Sequence, residues 1–233
     1  MKTIGLIGGL SWESSIEYYR IINQEVRRRL GGFHNALSVM STVDFADIVP
    51  LQHVLDFDGM EEHIAAAALQ VQRGGADVVL ICSCTTNSVA DRVATHLDVP
   101  VLHIADATAE DVKRQGLNTV GLLGTRFTME EDYFKGRLVE KHGLEVIIPP
   151  AEDRETVHRV IYDELVVGKV VDESRRKYQQ IMARLVERGA ECIVLGCTEI
   201  GLLVGQDDST AAVLDTTKIH ALAAVEFALG GKV

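Results

Sequence analysis

The stretch TIGLIGG, residues 3–9, is an apolar run that ends in two glycines, a pattern typical of a buried strand leading into a loop. It recurs as TVGLLGT at residues 119–125, an offset of 116 (119 − 3). Further along, GADVVLI at 75–81 matches GAECIVL at 189–195, an offset of 114 (189 − 75). Two shorter matches, EYYR with DYFK and VL with VL, follow the same order. We interpret the chain as two copies of one unit.

Short β-branched runs alternate with helical patterns in both copies. Strands are predicted at 3–7, 36–43, 78–82, 101–104, 120–123, 145–148, 192–195 and 212–214, and helices notably at 12–30, 61–73, 128–142 and 173–188. This alternation predicts an α/β fold of two pseudo-symmetric lobes, each a mainly parallel sheet flanked by helices. The expected lobes are residues 1–105 plus 216–233, and residues 106–215, with the active site in the cleft between them.

Composition restricts the classes of function. The 233 residues carry a net charge of −11, which argues against a nucleic-acid surface because such surfaces cluster Lys and Arg. Charged residues interrupt the longest apolar segments, so no membrane span is expected, and the first apolar run is too short for a signal peptide. A cytoplasmic location with four reduced cysteines follows. The cysteine spacings match no common zinc pattern, and no metal is expected.

The repeat also predicts where the chemistry lies. Ligands of open α/β sheets bind beyond the carboxyl ends of the strands, so equivalent loops of the two lobes are expected to line one site. The offset of 114 (197 − 83) sets Ser83 opposite Cys197. Two mirrored acid/base groups are what inversion at a carbon needs, since one removes the α-proton and the other protonates the opposite face. Ser11, before a helical run, is a candidate N-cap at a helix end able to hold a carboxylate.

Structural roles are the competing interpretation for several residues. Cys82 and Cys192 are expected to be small buried hydrophobes, and His103 and His220 to be hydrogen-bonded structural histidines. Glu199 and the threonines of these loops would otherwise serve as helix caps. The sequence contains neither a G-x-G-x-x-G fingerprint nor a Walker motif.

Four segments together resemble the cofactor-independent aspartate/glutamate racemase superfamily, in particular its broad-specificity amino-acid branch. They are KTIGLIGGLSWES (2–14), HIADAT (103–108), LGTRFTM (123–129) and GCTEIGLL (196–203). The resemblance covers essentially the whole chain. It implies a racemase of free amino acids without pyridoxal phosphate or metal, with its substrate between two lobes, and a homodimer. The catalytic residues are expected to be Cys197 and Ser83, and the substrate-binding residues Gly9, Ser11, Cys84, Thr85, Thr125, Thr198 and Glu199.

The sequence departs from the family pattern at the first catalytic motif. A Cys-Asn-Thr-x-His motif lands on residues 83–87, so that serine stands for cysteine, Cys84 for asparagine and Asn87 for histidine. Because a hydroxyl is a far weaker acid than a thiol, we expect asymmetric catalysis, with ready proton exchange at Cys197 and a slow reverse direction. Cys84 would replace Ser83 only if the loop were bulged.

The resemblance places Ile48 and Val166 at the positions of the carboxylate-binding Arg and Lys of acid-specific members. A neutral or polar substrate is then as compatible with the sequence as aspartate or glutamate. Two other functions stay open. One is a one-cysteine decarboxylase or cis-trans isomerase. The other is a catalytically impaired protein that binds an amino acid and regulates a partner.

Overall fold

The structure is a computed structural model that describes residues 1–231. Residues 232 and 233, which were predicted to belong to the first lobe, lie outside the described part of the chain. The strands are β1 (Ile4–Gly8), β2 (Ser38–Thr42), β3 (Val78–Ile81), β4 (Val101–Leu102), β5 (Thr119–Gly124), β6 (Glu145–Ile147), β7 (Cys192–Gly196) and β8 (Ala212–Asp215). The α-helices are α1 (Trp12–Leu30), α2 (Phe45–His53), α3 (Phe57–Arg73), α4 (Ala90–Ala94), α5 (Ile104–Arg114), α6 (Arg126–Glu130), α7 (Ala151–Asp163), α8 (Asp172–Glu187) and α9 (Thr216–Ala228).

The chain divides into two compact units. The first holds Met1–Ile104 together with the chain from Thr217 onward, and the second holds Ala105–Thr216. Each unit contains one four-stranded sheet, in the order β2-β1-β3-β4 in the first and β6-β5-β7-β8 in the second. All strand pairings in both sheets are parallel. The predicted α/β class, with two parallel sheets flanked by helices, is confirmed.

The repeat seen in the sequence is also present in the strand register. Ile7 of β1 pairs with Ile81 of β3, and Leu123 of β5 pairs with Leu195 of β7. The sequence offset of 116 relates Ile7 to Leu123, and the offset of 114 relates Ile81 to Leu195. The internal equivalence of the units therefore extends to individual hydrogen-bonded residues.

A close steric contact recurs in both units. A Cβ atom on Gly5 would lie 2.8 Å from the Ala76 Cβ, and one on Gly121 would lie 3.1 Å from the Ala190 Cβ. Both glycines let the loop that follows a helix pack directly against the central strand of its sheet. This explains why a small residue pair occurs at equivalent positions of the two copies.

The first sheet is covered on both faces, as expected for a parallel sheet. Side chains alternate along a strand, so Leu6 faces one layer and Ile7 the other. The layer around Leu6 includes Tyr18 of α1 and Val225 of α9, and the layer around Ile7 includes residues of α3. In the second unit β5 and β7 are almost entirely buried, and α7 and α8 pack against them.

The helix predicted at 128–142 is not continuous. Helix α6 ends at Glu130 because Glu131 is extended (φ −79°, ψ 156°), and a π-helical turn forms later at Arg137–Lys141. The prediction was wrong because the buried residues of both pieces, such as Phe127 and Leu138, continue a single amphipathic pattern.

Contacts with Asp106 account for the position of the π-helical turn. The Asp106 carboxylate accepts hydrogen bonds from Arg137, Lys141 and His142 at 2.7–2.8 Å. Burial alone would raise the pKa of Asp106, but these three donors outweigh burial and hold that pKa well below its usual range. The turn is thus fixed to the start of α5.

Candidate active site

In both units the predicted site residues follow the carboxyl ends of the two central strands. In the first unit they follow β1 and β3, and in the second unit they follow β5 and β7.

The loop after β1 depends on a glycine. Gly9 has φ +82°, and a Cβ there would lie 2.1 Å from the Val43 carbonyl oxygen, so no other residue fits without a shift of the backbone. Its N–H donates to Ser15 Oγ at 2.9 Å and is therefore engaged within the protein. Ser11 occupies the N-cap position of α1, but its side chain forms no capping bond. Instead its carbonyl accepts from Ser14 and Ser15.

The loop after β3 holds Ser83 in a buried hydrogen-bond chain. Ser83 Oγ accepts from the Thr86 N–H at 3.3 Å and from the Thr86 hydroxyl at 3.2 Å. The Thr86 hydroxyl in turn accepts from Gln52 Nε2 of α2 at 3.0 Å. All three side chains are less than 8% exposed. Neither Thr86 nor Gln52 was among the predicted site residues.

Asn87, the residue at the position of the family's histidine, has a structural role. Its amide nitrogen donates to the carbonyls of Ile81 and Ser83 at 3.0 and 2.6 Å, and its oxygen accepts from the Ile104 N–H at 3.3 Å. These bonds tie the end of β3 to the start of α5. Cys84 and Thr85 are buried in the same turn. Asn87 therefore shapes the loop and offers no titratable group.

The loop after β7 brings a thiol to a carboxylate. Cys197 Sγ donates to Glu199 Oε2 at 3.0 Å, and the Thr198 hydroxyl donates to the same oxygen at 2.9 Å. All three residues are at least 93% buried. A carboxylate hydrogen-bonded to a thiol is placed where a general base that activates a cysteine must lie.

Tyr162 of α7 is a neighbour of this loop that the sequence analysis missed. Burial raises the pKa of its phenol well above the usual value, and the ionised forms of Cys197 and Glu199 raise it further, while Arg126 opposes them. The phenol is therefore neutral at physiological pH and able to donate a hydrogen bond. No local motif marks a tyrosine 35 residues before the cysteine, since only the fold brings α7 to the end of β7.

The loop after β5 is capped by a threonine. Thr125 is the N-cap of α6, and its hydroxyl accepts from the Thr128 N–H at 3.3 Å. The Thr128 hydroxyl also contacts the Tyr133 hydroxyl at 3.0 Å. Thr125 occupies the place in its unit that Gly9 occupies in the first. Its predicted contact with substrate stays a prediction.

The remaining cysteines have the features of structural residues. The four cysteines all lie in the described part of the chain, and they are buried and form no disulfide. Burial raises the pKa of Cys82 far above its usual value and raises the pKa of Cys192 to about 12. Both thiols therefore stay protonated at physiological pH. Among residues 1–231, no three His, Cys, Asp or Glu side chains are gathered as a metal site requires, and no helix is long and apolar enough to cross a membrane.

Comparison with known proteins identifies the family. The family model of the Asp/Glu/hydantoin racemases matches residues 7–224. This chain belongs to that family. Racemases are isomerases, so the chain is an enzyme of the isomerase class, and the resemblance seen in the sequence is confirmed.

Three relatives illustrate the similarity. A Yersinia pestis protein assigned to the Asp/Glu racemases is 48% identical, with 98% of this chain and 100% of the other covered and a TM-score of 0.91. An aspartate racemase homologue from Pyrococcus horikoshii OT3 is 31% identical, with the same coverage and a TM-score of 0.85. The broad-specificity amino-acid racemase RacX of Bacillus subtilis is 19% identical over 224 residues, 92% of each chain.

Proposed function

We propose that this racemase acts on free amino acids without a cofactor, by removing the α-proton on one face of the α-carbon and protonating the other. Cys197 serves one face and Ser83 is the group for the other. The observation that carries the proposal is the 3.0 Å hydrogen bond from Cys197 Sγ to the buried Glu199 carboxylate. This bond supplies an acceptor for the thiol proton, without which a thiol is a poor base at neutral pH.

The proposed reaction is a pair of proton transfers on opposite faces of the α-carbon. Glu199 takes the proton of Cys197, and the resulting thiolate removes the α-proton of one enantiomer, so that the electron pair moves into the substrate carboxylate. The Ser83 O–H bond then breaks as a new C–H bond forms on the opposite face. Solvent returns a proton to the Ser83 oxygen and takes one from Glu199 as product leaves. Tyr162, a neutral phenol beside the Cys197 loop, is a candidate donor to the developing negative charge.

The serine makes the two half-reactions unequal. The two enantiomers of a substrate with one stereocentre have equal free energies, so kcat/KM must be the same in both directions. The asymmetry expected from the sequence is therefore a difference between the two enantiomers in the rate of proton exchange with solvent, and not a difference in the rate of inversion. The enantiomer that presents its α-proton to Cys197 should exchange that proton with solvent faster than it is inverted, because return from the thiol competes with protonation by the weaker acid.

Substrate choice follows from what holds the carboxylates. We propose that the α-carboxylate is bound by backbone N–H groups of the strand-end loops with Thr85, Thr125 and Thr198. Ile48 is fully buried in the core of the first unit, so no side-chain carboxylate is bound at that position. A neutral or polar amino acid is as compatible with these residues as an acidic one.

We further propose that the enzyme works as a homodimer in the cytoplasm. Helix α1 carries Trp12, Ile16 and Tyr19 at helical spacing, and these side chains are 64%, 52% and 54% exposed. An apolar stripe of this kind is typical of a surface that another chain covers. The buried, unbridged cysteines are those expected of a protein kept in a reducing compartment.

The proposal is tested by proton NMR of Cα–H loss in D₂O, using a panel of L- and D-amino acids. The wild type should exchange and invert at least one amino acid. Cys197→Ala should lower the exchange of the reactive enantiomer by about a hundredfold or more, the contribution of a positioned general base. Ser83→Ala should retain that exchange and lose inversion.

Cys192→Ala is the matched control, because it removes another buried thiol, in the strand β7 that precedes the Cys197 loop, and should leave exchange unchanged. If no amino acid of the panel exchanges while one still binds, the racemase mechanism fails and a binding role becomes the better account. If substrate instead loses CO₂, the chain is a decarboxylase.

A further inference from the structure

The buried hydrogen-bond chain Gln52–Thr86–Ser83 links α2 to the loop after β3. We infer that Thr86, held by Gln52, is a positioning residue that makes Ser83 the proton donor in the direction in which Cys197 is the base. The inference rests on the proposed function, since it assigns a direction to the Ser83 step of that reaction. For the enantiomer whose α-proton faces Cys197, it assigns the removal of that proton to Cys197 and the delivery of a new proton to the hydroxyl of Ser83.

The direction of the hydrogen bonds supports this assignment. The Gln52 amide nitrogen can only donate, so the Thr86 oxygen accepts from it at 3.0 Å, and the Thr86 hydroxyl proton points to Ser83 Oγ at 3.2 Å. The Thr86 N–H donates to the same Ser83 oxygen at 3.3 Å. With two donors on its oxygen, the Ser83 hydroxyl is left to act as a donor itself.

These donors also favour the charge that forms when Ser83 gives up its proton. Once the C–H bond has formed on the substrate, negative charge remains on Ser83 Oγ until solvent protonates it. Two hydrogen bonds aimed at an oxygen are stronger to its anion than to its neutral form. Because Thr86 is fully buried and Gln52 is 2% exposed, water does not compete with these bonds.

The second unit has the opposite polarity. Cys197 donates a hydrogen bond to the Glu199 carboxylate, which draws the proton away from sulfur, whereas Ser83 Oγ accepts two hydrogen bonds from Thr86. The neighbours of Cys197 therefore favour its action as a base, and those of Ser83 favour its action as an acid. The two networks assign different tasks to equivalent positions of the repeat.

The test compares Thr86→Val with Thr86→Ser in D₂O, with exchange and inversion measured on the same amino acid. Valine keeps the shape and removes the hydroxyl, whereas serine restores it. In Thr86→Val, inversion should fall by about tenfold to a hundredfold, the effect of one hydrogen bond to a charged group. Exchange of the Cys197-facing enantiomer without inversion should persist, so the ratio of exchange to inversion rises. Thr86→Ser should bring that ratio back towards the wild-type value.

Gln52→Met provides a second variant if valine at Thr86 prevents folding. It releases the Thr86 hydroxyl from its fixed direction and should raise the same ratio to a smaller extent. The inference is overturned if the folded variants lose exchange and inversion in parallel, or if Thr86→Val inverts as fast as the wild type. In both cases wild-type exchange that depends on Cys197 still supports the proposed racemase. Absence of exchange in the wild type overturns the racemase and the inference together.

Discussion

At the residue scale, Glu199 is the group on which the proposed base depends. Glu199→Gln keeps the size of the side chain and removes the charge that accepts the Cys197 proton. Without that acceptor the thiol must ionise by itself, with a pKa near 8.5 for an ordinary cysteine. We expect exchange at pH 7 to fall by about tenfold to a hundredfold, and to recover in part as the pH rises toward 9. A pH–rate profile of Cα–H exchange measures both effects.

Thr198→Val is the control for Glu199→Gln. It removes the other donor to Glu199 Oε2 and leaves the bond from the thiol in place. Because Thr198 is also proposed to bind the α-carboxylate, exchange is compared at saturating substrate, where this variant should fall less than Glu199→Gln and keep the wild-type pH profile. A Glu199→Gln enzyme with the rate and profile of the wild type would show that the thiolate forms without the carboxylate.

The sequence was sufficient to propose Ser83 and Cys197 but not the residues that support them. The repeat relates these two positions by an offset that the strand register shares, so the candidate pair needed no knowledge of side-chain contacts. Gln52 and Thr86, which form a hydrogen bond, are 34 residues apart in the sequence, and Tyr162 of α7 precedes Cys197 by 35 residues. Such pairs leave no local pattern, because a hydrogen bond between elements depends on how those elements pack.

At the element scale, a buried histidine fixes the C-terminal helix in the first unit. His220 of α9 is fully buried, and its two ring nitrogens contact the Tyr18 hydroxyl and the Leu102 carbonyl, both at 2.8 Å. Burial lowers the pKa of His220 to about 3, so the ring is neutral. Its Nε2–H therefore donates to Leu102, and Nδ1 accepts from Tyr18. The histidine has the structural role that the sequence predicted.

This neutral histidine predicts a pH-dependent stability. The unfolded chain has a histidine pKa of about 6.5, so it binds a proton that the folded protein does not accept until the pH nears 3. The contribution of His220 is therefore complete above pH 6.5 and is lost as the pH falls below it, by up to about 1.4 kcal/mol per pH unit. His220→Gln should lower stability at pH 7 yet flatten its dependence between pH 6.5 and 5. Urea unfolding at several pH values measures this.

His34→Gln is the matched control, since His34 is exposed in the loop after α1. Its stability should follow the slope of the wild type across the same pH range. If His220→Gln keeps the wild-type slope as well, then His220 is not the group that resists protonation.

Element boundaries show where patterns in the sequence stop being informative. The eight predicted strands all form, and the four central ones, β1, β3, β5 and β7, are the most buried apolar runs, as a parallel sheet covered on both faces requires. The pattern at 128–142 failed because amphipathic periodicity records which residues are buried, and two short helical pieces can bury the same residues as one long helix. The three donors to Asp106 that fix the second piece carry no signal of their own in the sequence.

At the scale of the whole molecule, duplication places the same sheet in both units and lets their loops diverge. The order of strands, the register and the contact between a glycine and an alanine are shared. The differences lie at the strand ends, where Thr86 donates to Ser83 and Glu199 accepts from Cys197. A fold built twice in this way can keep its cores fixed by packing while each unit specialises for one half of a proton transfer.

The proposed homodimer gives the prediction for the assembled molecule. If the exposed stripe of Trp12, Ile16 and Tyr19 is covered by a second copy, Ile16→Glu should break the dimer, because an unpaired charge in an apolar contact costs about 3 kcal/mol or more. Analytical ultracentrifugation should give twice the chain mass of 25.5 kDa for the wild type and the single mass for the variant.

Val139→Glu places the same charge on another exposed apolar residue, which lies in the second unit and is 44% exposed. It should leave the dimer intact, since it lies outside the α1 stripe. A wild type that sediments at 25.5 kDa would remove the dimer from the proposal. A dimer that tolerates Ile16→Glu would instead show that the copies meet through another surface, and the α1 stripe would then need a different explanation. Neither result bears on proton exchange at Cys197, because the thiol and its carboxylate belong to one chain.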